Sequence, residues 1–141
     1  MGTKVFVNLP VKDLNKTVGF FTKLGYKFDP EFSDERSKCM IITDDISVML
    51  LVEPFFKTFT SKEICDTRKS TKSILSLSAE SRIQVDQILK KTIEAGGIEA
   101  GKPQDMGWAY ERSFQDPDGH LWEVIYMDPS KRSSQNRQHI S

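Results

Sequence analysis

One succession of segments runs through this chain twice. An extended apolar segment, an amphipathic helical segment and three further extended segments fill residues 3–55. The same order returns over residues 71–128, displaced by about 70 positions. Phe6 falls near Ile74, Gly25 near Gly96, Leu50 near Glu123, and the turn at Asp44 near the turn at Asp116. A βαβββ unit owns one helix, which covers one face of its strands. The other face must meet a partner, a ligand or the neighbouring unit. The expectation is an α+β protein: two βαβββ modules forming a curved mixed sheet with a concave cavity, where a small molecule would sit. Both modules belong to one domain, residues 1–129. The polar tail, residues 130–141, has no periodic apolar face and is expected to be disordered.

Local signals place the elements. Residues 5–9 read as a strand closed by Pro10, which cannot donate to a ladder. Asp13 is a candidate N-cap, and Leu14, Val18, Phe21 and Leu24 follow at helical spacing up to Gly25. Residues 31–38 read as a loop, 39–43 and 47–53 as strands. Ser61 to Ile64 suggests one helical turn, and Phe55, Phe56 and Phe59 either pack, cover a pocket or meet another subunit. In the second half Ser81 and Gln84 have capping-box spacing. Ile83, Val85, Ile88, Leu89, Ile93 and Ala95 mark an apolar face, and Gly96-Gly97 ends the helix. Ile98 to Ala100 is a short strand, residues 102–106 a loop and 107–115 a strand. Asp116-Pro117-Asp118-Gly119 is a strong turn signal before the final strand.

Composition removes several function classes. Lys+Arg and Asp+Glu each number 20, so no basic excess points to nucleic acid or to an anionic membrane surface. The longest apolar run, Val48-Met49-Leu50-Leu51-Val52, is far too short to span a bilayer. No apolar leader precedes the first strand, and the residues after Gly2 do not suit myristoylation, so a cytoplasmic protein is expected. Cys39 and Cys65 are too few for a disulfide scaffold and read as reduced thiols. Lys62 and Arg68 near Cys65 leave a reactive thiol as the alternative. With only His120 and His139 as imidazoles, a metal site rich in His or Cys is nearly excluded.

Two motifs carry a specific resemblance. Phe6-Val7-Asn8-Leu9-Pro10-Val11-Lys12-Asp13-Leu14, with Phe20-Phe21 and Leu24-Gly25-Tyr26, resembles the opening of the vicinal oxygen chelate superfamily. That superfamily holds glyoxalase I, the bleomycin-resistance proteins and the extradiol dioxygenases. Phe114-Gln115-Asp116-Pro117-Asp118-Gly119-His120-Leu121-Trp122-Glu123-Val124 is similar to its closing motif. The resemblance covers about residues 4 to 128 and implies the glyoxalase/bleomycin resistance/dioxygenase fold.

Enzymes of the superfamily hold a divalent metal through one ligand from each of four strands. Carried over, these positions are Phe6, Leu50, Ile74 and Glu123, and only Glu123 can donate to a cation. A register error of two residues would substitute Asn8, Ser76 or Glu53, none an imidazole. No cofactor is therefore expected, and the scarcity of histidine speaks against this particular inherited site. What remains can bind. Asn8, Ser76, Trp108, Tyr110, Arg112 and Glu123 are the candidate ligand-binding residues, with Glu123 also a candidate base if buried and unpaired. Glu123 instead paired with Arg112 is the structural alternative. Trp108 and Tyr110 either stack on a flat ligand or pack, and His120 reads as a rim or capping residue. The resemblance implies a small-molecule binding protein with a largely apolar cup, working as a homodimer, with no nucleic-acid or membrane partner. The alternatives are a divalent-metal-dependent lyase of the lactoylglutathione lyase type or a dioxygenase with an atypical ligand set, a metal-free enzyme using Glu123, and a scaffold without a small ligand.

Overall fold

The computed structural model describes residues 2–70 and 73–130. All but the first residue of the expected polar tail lies outside the described residues, as does His139. The chain divides into two compact units at Ser70–Thr71.

The first unit runs β1 (Val5–Val11), α1 (Leu14–Lys23), β2 (Lys27–Asp29), β3 (Ser37–Ile41), β4 (Ile46–Val52) and the single turn α2 (Glu53–Phe56). Short 3-10 turns occupy Pro30–Phe32 and Lys57–Phe59. The second unit runs β5 (Ile74–Ser78), α3 (Arg82–Glu94), β6 (Ile98–Glu99), β7 (Gln104–Asp105), β8 (Ala109–Gln115) and β9 (Leu121–Met127). The strand orders are β1-β4-β3-β2 and β5-β9-β8-β6, with β7 added beside β8. In each unit the first and last long strands are parallel, and the hairpins between them are antiparallel. The repeat in the sequence is thus a repeat of topology.

Helix ends follow the local chemistry. The Asp13 carboxylate accepts the Lys16 N–H at 3.1 Å and opens α1. Gly25 and Gly96 follow α1 and α3 at φ 104° and 97°, a region that a side chain would strain. The Ser81 hydroxyl accepts the Gln84 N–H at 3.0 Å, while the Gln84 side chain reaches the Glu80 N–H instead of that of Ser81. Leu14, Phe20, Phe21 and Leu24 of the α1 region are buried, as are Leu9, Val11, Val48, Leu50 and Met40 of the sheet. Val85 and Leu89 of α3 are buried together with Phe114, Trp122 and Val124. Each fully buried side chain of this kind contributes about 1.5–3 kcal/mol.

Four expectations need correction. Pro10 lies inside β1, not after it; β1 is the outer strand of its sheet, where a missing N–H leaves no ladder bond open. The helical turn falls at Glu53–Phe56, where Pro54 suits a first turn, and not at Ser61 to Ile64. Residues 104 and 105 pair with β8 although they read as loop. Ile83 and Ile93 are exposed, because the buried face of α3 is Val85, Leu89 and Thr92. Among the described residues no helix is long and apolar enough to cross a membrane.

Candidate functional site

Residues directly paired across strands share a face, and neighbours along a strand alternate. In the second unit Ser76 pairs with Glu123, Ser113 pairs with Glu123 from the other side, and Glu111 pairs with Ile125. Ser76, Glu123, Ser113 and Glu111 therefore stand on one face. Ile74, Ser78, Leu121, Ile125 and Gln115 share it. Tyr110, Arg112, Phe114, Trp122 and Val124 stand on the opposite face, which α3 covers.

The open face has a polar centre. The Ser76 hydroxyl donates to Glu123 Oε1 at 2.8 Å. The Glu111 and Glu123 carboxyls lie within hydrogen-bonding reach of each other. Burial first, then the charge of Glu123 and the bond to it, push the Glu111 carboxyl above the usual carboxylate range. No Lys or Arg stands at the open-face positions of β5, β8 and β9. The two carboxyls present acceptor oxygens to a ligand at the centre of this face. Glu111 was not singled out from the sequence. Its place was nonetheless readable: a hairpin turning at Asp116 to Gly119 pairs Ser113 with Glu123, and Glu111 lies two residues away on the same face.

Arg112 does not pair with Glu123. Its guanidinium binds Glu99 through two bonds of 2.8 Å and Asp86 at 2.9 Å, all on the covered side. Arg112 lies opposite Val124, one position out of phase with Glu123, and the two side chains leave the sheet in opposite directions. Tyr110 also faces the covered side: its hydroxyl donates to Asp86 at 2.7 Å, and the Arg82 guanidinium sits 5.4 Å from its ring centroid. The hydrogen bond from Tyr110, followed by Arg112, holds the Asp86 carboxyl below its usual value; Arg112 does the same to Glu99. Trp108 is half-buried just before β8, and its carbonyl accepts the Asp128 N–H at 2.7 Å.

His120 is buried at the turn. Asp116 organises that turn: Oδ1 accepts the Asp118 and His120 N–H groups, and Oδ2 accepts the Trp122 indole at 2.9 Å. Burial raises the Asp116 carboxyl despite these donors.

In the first unit Phe6 pairs with Ser47 and Asn8 with Met49. The internal repeat then corrects one carried-over position. Glu123 is the partner of Ser76, two residues after Ile74; the equivalent partner of Asn8, two residues after Phe6, is Met49. Leu50 belongs to the other face and is fully buried. The open-face residues at these places are thus Phe6, Met49, Ile74 and Glu123. Among the described residues no group of three or more His, Cys, Asp or Glu side chains is arranged to hold a metal ion. Cys39 is buried and Cys65 half-buried; both are free, and Cys65 Sγ lies 3.1 Å from the Ser70 hydroxyl.

No curated protein sequence matches the chain. Solved structures do. A hypothetical protein from S. aureus is 26% identical, with a TM-score of 0.76 over 89% of this chain and 95% of its own. A glyoxalase/bleomycin resistance protein/dioxygenase family enzyme from Burkholderia phytofirmans is 14% identical, with a TM-score of 0.77 over 89% and 99%. The fosfomycin resistance protein FosX from Listeria monocytogenes, solved with Mn(II) and sulfate, is 19% identical, with a TM-score of 0.70 over 96% and 98%. The model of the Glyoxalase/Bleomycin resistance protein/Dioxygenase superfamily matches residues 5–124, nearly all of both repeats, and the chain belongs to that superfamily.

Proposed function

We propose that this protein binds a small organic molecule against its open sheet surface, with Glu123, Ser76 and Glu111 as polar anchors. The observation that carries the reading is the Ser76–Glu123–Glu111 cluster on the face of the sheet opposite the one that packs on α3. Ser76 engages one oxygen of Glu123 and orients the carboxyl. Glu111 adds a second carboxyl beside it, so the donors of a ligand hydroxyl, amide or amine would find acceptors there. Glu123 is also the group that would take a proton if the ligand is turned over. The protein is further proposed to act as a homodimer.

A metal-assisted reading, as a lyase or a dioxygenase, draws on the FosX neighbour solved with Mn(II) and on the retained Glu123. The donor set does not fit it. Phe6, Met49 and Ile74 offer no oxygen or nitrogen, and a catalytic Zn²⁺ or Ni²⁺ site needs about three protein ligands. Asn8 and Ser76 add only neutral oxygens.

Metal analysis of protein purified without chelator, followed by added Ni²⁺, Zn²⁺, Mn²⁺ or Fe²⁺, separates the readings. Substoichiometric metal and no protection against unfolding are expected. Stoichiometric metal lost in Glu123→Gln would favour the metal enzyme. Glyoxalase-type turnover without metal that is lost in Glu123→Gln would favour Glu123 as base.

A further inference from the structure

The connecting segment after β4 folds around a polar concavity of about 580 Å³ within the first unit. Glu53 begins α2 and Lys57 begins the 3-10 turn that follows it; the remaining lining comes from residues 60–64. Local chemistry shapes this segment. The Arg36 guanidinium lies 4.2 Å from the Phe55 ring centroid, and Phe59 meets that ring edge-on at 5.1 Å, so aromatic contacts hold α2 in place. Thr60 is extended and ends the 3-10 turn, and its hydroxyl accepts the Lys62 N–H at 3.1 Å. This side-chain turn bends the chain, and residues 60–64 line the same space as Glu53 and Lys57.

The volume falls within the usual range for ligand pockets, about 300–1,000 Å³. The lining differs from that of an apolar cup. Ile64 is its one apolar residue; two ammonium groups, two carboxylates and two hydroxyls make up the rest. No ion pair or side-chain hydrogen bond joins any of the four charged groups to another described residue. Glu53 and Lys57 stand four positions apart, in the order that favours a helical ion pair, and they leave it open. Charges of both signs around one concavity, neither neutralising the other, suit a ligand that carries both. A simple anion would meet two carboxylates there, and a simple cation two ammonium groups.

The concavity is also distinct in its residues from the superfamily's ligand positions. Phe6, Met49, Ile74 and Glu123 do not line it, and β4 has ended at Val52 before Glu53 begins α2.

We propose that this concavity binds a small zwitterion, a free amino acid or a short peptide. The ligand carboxylate meets Lys57 and Lys62, and the Ser61 hydroxyl adds a donor to it. The ligand ammonium meets Glu53 and Glu63.

The test uses the full chain, ¹⁵N-labelled, at fixed ionic strength and at about pH 6.5, where an α-amino group keeps its proton. It is titrated with glycylglycine, with N-acetylglycylglycine, which lacks the ammonium, and with glycylglycinamide, which lacks the carboxylate. Saturable shifts at the amides of residues 61–64 are expected with glycylglycine, and binding weaker by at least about threefold with each blocked probe. Lys57→Gln combined with Lys62→Gln should remove the advantage of glycylglycine over glycylglycinamide. Glu53→Gln combined with Glu63→Gln should remove its advantage over N-acetylglycylglycine. Each pair should weaken glycylglycine by about three- to tenfold. These side chains hold no partner in the fold, so the variants should fold normally, and retained amide dispersion checks this. Equal response to the three probes, no response to any, or tighter binding of a blocked probe would overturn the proposal. So would shifts centred on Ser76 and Glu123. Glu123→Gln should leave the glycylglycine shifts in place, so this reading and the Glu123 reading fail separately.

Discussion

Arg112 shows how far one residue's role depends on phase. From the sequence it stands near Glu123 in a hairpin, and an ion pair between them is reasonable. The hairpin register puts it opposite Val124, and alternation sends it to the face covered by α3, where it binds Asp86 of that helix and Glu99 of β6. The turn motif is legible because its chemistry is contiguous; the partners on α3 and β6 are not, because they depend on which face of the sheet the helix covers. Asp116 is a similar case. The turn was readable, but the indole of Trp122 donating back to its carboxylate was not. Trp122→Phe keeps most of the apolar contact with Phe114, whose ring stacks at 6.2 Å, and removes one donor from a buried carboxylate. The expected loss is about 1–3 kcal/mol, larger than a change of ring size alone would give, measured by urea unfolding against Trp122→Phe in an Asp116→Asn background.

At the scale of elements, boundaries were more legible than faces. Asp13, Ser81, Gly25 and Gly96 act within one turn of chain, so the helix ends could be read locally. Which side of α3 is buried depends on the sheet, and Ile83 and Ile93 lie off it. Leu89→Ala should therefore cost about 2–5 kcal/mol, while Ile83→Gln and Ile93→Gln should change stability by less than about 0.5 kcal/mol. Ser81→Ala should cost about 1 kcal/mol through the lost cap. Equal losses at Leu89 and Ile83 in denaturant titrations would contradict the orientation of this helix. The strands show the same limit. Residues 104 and 105 carry no strand pattern and are recruited by the edge of β8. The pairing of β1 with β4 is long-range, which is why Leu50 was assigned the place that Met49 holds.

Across the whole molecule, both units divide their chemistry by face, and pH should separate the two faces. The repeated order of strands and helix was legible, but the one-residue phase that assigns side chains to faces was not. On the covered face Arg112 holds Glu99 below its usual value, and Tyr110 followed by Arg112 does the same to Asp86. Groups whose folded pKa is depressed add stability above their unfolded pKa, about 4, and lose it as pH falls through the folded value. On the open face burial and Glu123 raise Glu111. A carboxyl whose folded pKa is raised binds its proton more tightly when folded, so stability falls as pH rises from about 4.3 towards that folded value. Glu99→Gln should lower the melting temperature at pH 7 by the equivalent of about 1 kcal/mol, a modest figure because the pair is partly solvated, and the deficit should shrink towards pH 3. Glu111→Gln should do the reverse. Near pH 4 it should match the parent protein; at pH 8 it should be as stable or more stable, by no more than about 1 kcal/mol, because the like-charge contact with Glu123 is gone. Thermal unfolding of the parent and both variants between pH 3 and pH 8, at fixed ionic strength, reads both slopes. A Glu111→Gln variant less stable than the parent at pH 8 would mean that the open-face carboxyls support the fold. The expected result, stability gained by removing one, is the mark of groups kept for a ligand and not for packing.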